Sequence, residues 1–139
     1  MANTILNPYL NFRGDARDAM EFYRSVFGGD LNVSTFGESQ MTDDPDEQDW
    51  LMHAQLTTPG GLTLMGADVP KTMDFQSGGS ISVSLSGDDE DELRGFWQKL
   101  SDGAQVEAPF ERAPWGDTFG MCVDRFGVRW LVNAAGSAA

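Results

Sequence analysis

Apolar and polar residues alternate along several short segments of the chain, the pattern typical of β-strands with one covered face. In the segment 79–86, the apolar residues Ile81, Val83 and Leu85 alternate with serines. The segments 4–12 and 51–58 alternate in a similar way, with Asn7 and Tyr9 on one polar face and His53 and Gln55 on another. Each of these strands is predicted to turn its apolar face to a helix.

Two other segments place apolar residues at helical spacing, which predicts an amphipathic helix in each. The first segment, 15–29, begins at Asp15, the predicted N-cap, and ends in two glycines. The second, 88–103, begins in an acidic run and ends at Gly103. The apolar stripes are Ala16, Ala19, Met20, Tyr23 and Phe27 in the first helix, and Leu93, Phe96, Trp97 and Leu100 in the second.

The two helices are related by a constant offset, because Phe22 and Tyr23 recur as Phe96 and Trp97 at a distance of 74 residues. Each helix is followed by three predicted strands and preceded by one, which indicates an internal repeat. The predicted strands are 4–12, 30–36, 51–58 and 61–67 in the first half, and 79–86, 104–112, 117–123 and 126–133 in the second. We therefore expect one α+β domain over 1–139, made of a module 4–67, a linker 68–78 and a module 79–133.

The last two strands form a predicted hairpin with one apolar and one mixed face. Phe119, Met121, Val128 and Trp130 are expected to pack on the second helix, leaving Thr118, Gly120, Cys122, Leu131 and Asn133 on the front. If the polar fronts of all these strands converge, they form a concave cup, the usual shape of a ligand site. The alternative is that these faces are ordinary solvent-exposed sheet.

Composition narrows the possible partners. The net charge of −13 argues against nucleic acid, which would be repelled, and is compatible with a small cationic ligand. No run of apolar residues is long enough for a membrane span, and the N-terminus lacks the features of a signal peptide, so a cytoplasmic location is expected. A single cysteine cannot form an internal disulfide.

The acidic segment 37–50 is either a solvated loop or a lid over a pocket.

Three stretches of the chain resemble a known superfamily. It is the vicinal oxygen chelate superfamily, and the stretches that resemble it are NPYLNFRGDARDAMEFYRSVFGG, MHAQL and WGDTFGMCVDRFGVRWLVN. Within it, they are most similar to the PhnB-like branch of the glyoxalase/bleomycin-resistance/dioxygenase group. The resemblance implies two βαβββ modules that form a curved mixed sheet around a cavity, usually in a homodimer.

The resemblance also gives the places where metal-dependent members hold their metal. These places fall near Asn7, at Gln55, near Ser80 and at Leu131, with His53 two residues before Gln55. A divalent transition metal needs several imidazole, carboxylate or thiolate donors, and leucine offers none. No bound metal and no cofactor are therefore expected.

The main functional hypothesis is a small-molecule-binding protein of the glyoxalase/bleomycin-resistance type. The alternative is a metal-dependent lyase, isomerase or dioxygenase with a degenerate ligand set. A methyltransferase, a label this branch sometimes bears, is disfavoured because no glycine-rich strand-to-helix turn is present, and acid–base catalysis by His53 stays open. The predicted ligand-binding residues are Asn7, Tyr9, His53, Gln55, Ser82, Trp115 and Cys122.

Overall fold

The structure is a computed structural model that describes residues 6–75 and 81–136. The chain divides into two compact units, unit 1 (Met1–Ser77) and unit 2 (Gly78–Ala139). No helix in the described ranges is both long enough and apolar enough to cross a membrane.

Unit 1 contains one helix and a four-stranded mixed sheet. Its elements are β1 (Tyr9–Phe12), α1 (Ala16–Phe27), β2 (Asp30–Thr35), β3 (Leu51–Thr57) and β4 (Thr63–Asp68), with a 3₁₀ turn at Pro45–Glu47. The strand order is β1-β4-β3-β2. β1 pairs with β4 in parallel, and the other two pairs are antiparallel.

Unit 2 repeats this topology. Its elements are β5 (Val83–Gly87), α2 (Glu90–Leu100), β6 (Gln105–Arg112), β7 (Thr118–Val123) and β8 (Arg129–Ala134). The strand order β5-β8-β7-β6, with one parallel and two antiparallel pairs, matches that of unit 1. The predicted repeat of two βαβββ modules, each with a mixed sheet, is therefore confirmed. The predicted limits of the linker, 68–78, stay a prediction.

In unit 1, α1 covers the face of the sheet that carries the small and aliphatic residues. A Cβ atom added to Gly66 of β4 would lie 3.2 Å from the sulfur of Met20, so Gly66 lies directly beneath the helix. Ala54 pairs with Gly66, and neighbouring residues of the same face are also buried. The core of unit 1 comprises Phe12, Ala54, Leu56 and Leu64 from the sheet, and Ala16, Ala19, Met20, Tyr23 and Val26 from the helix.

In unit 2, α2 covers the sheet face on which the small residues of β7 lie. A Cβ atom on Gly120 would lie 3.0 Å from the Trp97 ring and 2.9 Å from the backbone of Phe110. Trp97 stacks on Phe110, with ring centroids 5.8 Å apart. Cys122 pairs with Trp130, and both are almost fully buried on this face.

The face predicted for β7 is therefore wrong, although that of Trp130 in β8 was right. Thr118, Gly120 and Cys122 lie on the helix side, and Phe119 and Met121 lie on the opposite side. The physical reason is room: the large rings of Trp97 and Phe110 leave space only for small side chains beneath the helix.

Asp15 is the N-cap residue of α1, as predicted, but another side chain supplies the capping hydrogen bonds. Asp15 makes no capping hydrogen bond through its side chain. Instead the buried carboxylate of Asp68, at the end of β4, accepts hydrogen bonds from the backbone N–H groups of Gly14 (2.7 Å) and Ala16 (3.0 Å). Its other oxygen accepts from the N–H of Leu51 at 2.9 Å. α2 has the ordinary local cap, since Asp89 accepts from the N–H of Glu92.

Candidate functional site

The candidate site starts from the sheet face of unit 1 that α1 does not cover. Because side chains alternate along each strand, the residues next to those beneath the helix lie on the opposite face. We call this face the unit 1 open face. Strand register places Tyr9, Met65, Gln55 and Asn32 in one row at its centre. Beside this row it pairs Asn11 with Ala67 and Ser34 with His53.

Tyr9 and His53 form a side-chain pair on the unit 1 open face. The Tyr9 hydroxyl lies 3.3 Å from Nδ1 of His53, and their ring centroids are 5.8 Å apart. Partial burial raises the pKa of Tyr9 above its ordinary value, so the hydroxyl keeps its proton at neutral pH. When this hydroxyl donates to Nδ1, the neutral imidazole holds its own proton on Nε2 and can donate it to a ligand.

Met65 lies at the centre of the four predicted residues of unit 1. The amide Nδ2 of Asn7 lies 3.9 Å from the Met65 sulfur, within reach of a weak N–H···S hydrogen bond. Met65 also pairs in register with Tyr9 on one side and with Gln55 on the other. The structure thus brings Asn7, Tyr9, His53 and Gln55 to one surface. Sequence reasoning missed Met65, although its alternation with the buried Leu64 and Gly66 was a usable signal.

The residues predicted in unit 2 are not gathered in the same way. Ser82 immediately precedes β5 and is half-buried. Trp115 lies in the β6–β7 loop with 66% of its surface exposed, and its ring lies 6.0 Å from that of Phe119. Both Ser82 and Trp115 therefore stay candidates for a ligand-facing role.

Cys122 does not belong to the candidate site. It is fully buried on the helix side of the sheet, opposite Trp130. Burial, with the nearby carboxylates of Asp124 and Glu107, raises the pKa of the thiol to about 11. The prediction that Cys122 faces a ligand is wrong because the faces of β7 are reversed.

The uncovered face of the sheet in unit 2, the unit 2 open face, is more apolar than its counterpart. Its central rows are Ser84, Leu131 and Met121 in one, and Ser86, Asn133 and Phe119 in the other. The Asn133 amide donates to Asp117 at 3.2 Å, beside the Trp115 loop. The N–H of Gly136 and this amide lower the pKa of Asp117. Sequence reasoning placed Leu131 and Asn133 on this face but missed Phe119 and Met121.

The metal positions implied by the resemblance offer few donors. Asn7 and Gln55 are neutral amides, and Leu131 has no donor atom, while Ser80 lies outside the described residues. Within 6–75 and 81–136, no group of three or more histidine, cysteine, aspartate or glutamate side chains is placed to hold a metal ion. These residues do not fit a resident transition metal.

The acidic loop 37–50 is tied to the segment that follows β4. Glu47 is buried, and its carboxylate accepts hydrogen bonds from the Thr42 hydroxyl (2.8 Å) and from the N–H of Lys71 (2.6 Å). The Lys71 ammonium lies 3.3 Å from Asp44 and 3.2 Å from Asp46, and hydrogen bonds to these carboxylates raise its pKa. We call this arrangement the Lys71 clasp. Loop and segment line a cavity of about 520 Å³, whose walls are formed by Gln40, Met41, Thr42, Asp43, Asp44, Glu47, Pro70, Lys71 and Thr72.

Solved structures of other proteins share the fold. The protein PA1353 from Pseudomonas aeruginosa is 32% identical, with a TM-score of 0.83 over 96% of this chain and 98% of that one. The PhnB protein from Bacillus cereus is 26% identical, with a TM-score of 0.72 over 95% of this chain and 100% of that one. A glyoxylase/bleomycin resistance protein/dioxygenase domain from Frankia sp. EAN1pec (16% identity, TM-score 0.66, 100% and 96% covered) shows the fold alone.

These likenesses define a protein with the fold of the glyoxalase/bleomycin resistance/dioxygenase group. Residues 4–133 match the model of one protein family. The chain belongs to this PhnB-like family, which is described as 3-demethylubiquinone-9 3-methyltransferase.

Proposed function

We propose that this protein binds a small organic molecule on the unit 1 open face and does so without a resident metal. The observation that supports the proposal is the Tyr9–His53 pair, held 3.3 Å apart beside Gln55 and Met65. A paired phenol and imidazole next to an amide and a thioether combine hydrogen-bonding groups with apolar contact surface. Such a combination is typical of small-molecule sites.

Each polar group of this face has a defined role in the proposal. The Tyr9 hydroxyl holds His53 in one orientation, and the free Nε2–H of the imidazole donates to an acceptor atom of the ligand. The Gln55 amide offers a donor and an acceptor one register position away, and Met65 contacts the apolar part of the ligand. The family description names a methyl transfer, and nothing in these side chains supports extending that activity to this chain.

Thermal-shift screening of a library of metabolites and drug-like compounds identifies binders. Isothermal titration calorimetry then measures their affinity for the wild type and for variants. We expect His53→Ala to weaken binding about two- to tenfold, since a lost hydrogen bond contributes roughly 0.5–1.5 kcal/mol. Gln55→Ala should weaken binding by a similar factor. Gln98→Ala, which removes the same side chain from the exposed surface of α2, is the matched control and should bind as the wild type does.

Unchanged binding in both His53→Ala and Gln55→Ala would contradict the proposed site. The melting temperature of each variant, measured without ligand, separates lost binding from lost folding.

The metal part of the proposal is tested on protein purified without a histidine tag. After dialysis against a mild chelator, elemental analysis should find no stoichiometric zinc, nickel, manganese or iron. One equivalent of any of them surviving dialysis would overturn this part and favour a metal-dependent enzyme.

A further inference from the structure

The central rows of the unit 1 open face contain no Asp, Glu, Lys or Arg, although the chain has a net charge of −13. In unit 1 these rows consist of Tyr9, Asn11, Asn32, Ser34, His53, Gln55, Met65 and Ala67. In unit 2 the corresponding positions of β5, β7 and β8 are Ser84, Ser86, Phe119, Met121, Leu131 and Asn133. Neutral polar and apolar side chains thus form the surfaces that the proposed function assigns to a ligand.

The charged side chains that belong to these faces lie at their margins. Asp30 is exposed at the start of the edge strand β2, and Glu111 is exposed on the edge strand β6. Arg129, at the start of β8, is already paired with Glu107 at 3.1 Å. The central rows of the unit 1 open face therefore contain no opposite charge for a charged ligand.

Many of the carboxylates responsible for the net charge lie elsewhere. Six belong to the loop 37–50, where Lys71 pairs with two of them, and three belong to the first turn of α2. In physiological salt the Debye length is about 8 Å, so exposed carboxylates beyond that distance act only weakly on a ligand at the open face. The net charge is therefore a poor guide to the charge of the ligand.

We infer that the ligand of the unit 1 open face is an uncharged molecule that joins a carbonyl, amide or hydroxyl group to an apolar body. This inference rests on the proposed function. A cation or an anion placed against these rows would lose hydration without gaining an opposite charge, which is costly. A neutral acceptor loses less, and it regains a hydrogen bond from Nε2 of His53 or from the amide of Gln55. The expectation of a cationic ligand is thereby replaced.

Three probes of one shape test the inference: benzamide, benzylamine (a cation at neutral pH) and benzoate. Each is titrated into isotopically labelled protein, and NMR follows the ring signals of His53 and the side-chain amide signals of Gln55. Benzamide should shift both sets of signals and bind at least several-fold more tightly than the two charged probes.

An isosteric variant provides the sharper comparison. Gln55→Glu adds one negative charge to the centre of the open face without changing its shape, and it should reverse the preference in favour of benzylamine. Gln98→Glu makes the same change in net charge on the exposed surface of α2 and should leave all three affinities unchanged.

The outcomes separate the inference from the proposed function. If benzylamine or benzoate shifts the His53 and Gln55 signals as strongly as benzamide does in the wild type, the ligand class is wrong and the site stands. Equal gains in benzylamine affinity for Gln55→Glu and Gln98→Glu would show that net charge governs binding, which also overturns the inference. If none of the probes shifts these signals up to its solubility limit, the proposed function itself is contradicted.

Discussion

The buried carboxylate of Asp68 joins three parts of unit 1 through single hydrogen bonds. It accepts from the turn before α1, from the first residue of the helix and from the start of β3. We expect Asp68→Ala to lower the free energy of unfolding by roughly 3 kcal/mol or more, because it leaves three backbone donors without their charged acceptor. Asp15→Ala is the matched control at the position that the sequence favours.

Because Asp15 makes no side-chain capping bond, its replacement should change stability by less than about 0.5 kcal/mol. Urea denaturation measures both variants. Equal losses for the two would contradict the assignment of the main capping role to Asp68.

Cys122 is expected to be chemically silent in the folded protein. Its thiol has a pKa of about 11, so little thiolate exists at pH 8, and the side chain is fully buried. A thiol reagent such as DTNB should react only after denaturant is added. Fast reaction of the native protein at pH 8 would contradict the burial.

The raised pKa of Cys122 also predicts how the stability of the protein depends on pH. The folded state holds the thiol proton more tightly than the unfolded state, whose thiol pKa is about 8.5. The contribution of Cys122 to stability is thus complete below that pH and is lost as pH rises toward 11. Cys122→Ala should remove this part of the alkaline loss.

At the scale of elements, the packing of α2 on its sheet depends on the absence of a side chain at one position. A methyl group at Gly120 would meet the backbone of Phe110 at 2.9 Å and the Trp97 ring at 3.0 Å. We expect Gly120→Ala to destabilise the protein by about 1–3 kcal/mol, as overpacking usually does. The measurement is again the free energy of unfolding.

Gly95 gives the control, because it lies within α2 with open space around its Cα. Gly95→Ala should stabilise the protein by up to about 1 kcal/mol through helix propensity. If Gly120→Ala is equally harmless, the helix does not pack on β7 as described.

This packing also explains why the sequence misled for one strand and succeeded for others. In β3, polar residues such as His53 and Gln55 alternate with apolar ones, so the covered face is evident. In β7 the bulky Phe119 and Met121 lie on the uncovered face, and the small residues Thr118, Gly120 and Cys122 lie on the covered one. Hydrophobicity alone cannot show that a large ring on α2 requires small neighbours.

The Lys71 clasp is the element-scale feature that fixes the acidic loop. Lys71→Met removes the ammonium that bridges Asp44 and Asp46. It keeps the backbone N–H that donates a hydrogen bond to the Glu47 carboxylate. We expect several-fold faster hydrogen exchange in residues 37–49, with little change in α1 and β3. Salt should act in the same direction, because exposed ion pairs are screened.

Lys99→Met, at the exposed end of α2, is the matched control and should leave the exchange of the loop unchanged. Loop exchange that is the same in Lys71→Met and in the wild type would show that Glu47 alone holds the loop.

For the whole molecule, we propose a homodimer, on the strength of the family resemblance. Sedimentation equilibrium at micromolar concentration should then give twice the 15.2 kDa mass of the chain. A single species of 15.2 kDa across the concentration range would contradict the proposal.

Features of the molecule that depend on neighbouring residues could be predicted from the sequence, whereas features that depend on distant residues could not. Helix stripes, strand alternation and the repeat depend on neighbours within a few residues, and they gave both modules and the strand faces of Tyr9, His53 and Gln55. That these faces meet was implied by the family resemblance. The cap from Asp68 and the central place of Met65 depend on contacts between residues more than 50 positions apart. No local pattern encodes such pairs.

The two helix caps differ in a way that bears on the order of folding. The α2 cap joins residues 3 positions apart, whereas the Asp68–Ala16 bond joins residues 52 positions apart. By loop-closure entropy alone, the longer closure costs roughly 2–3 kcal/mol more. The start of α2 can therefore form early and alone, while the start of α1 becomes stable only after β4 has found its place beside β1. Asp68 then belongs to the late events of folding, and its loss should mainly speed unfolding.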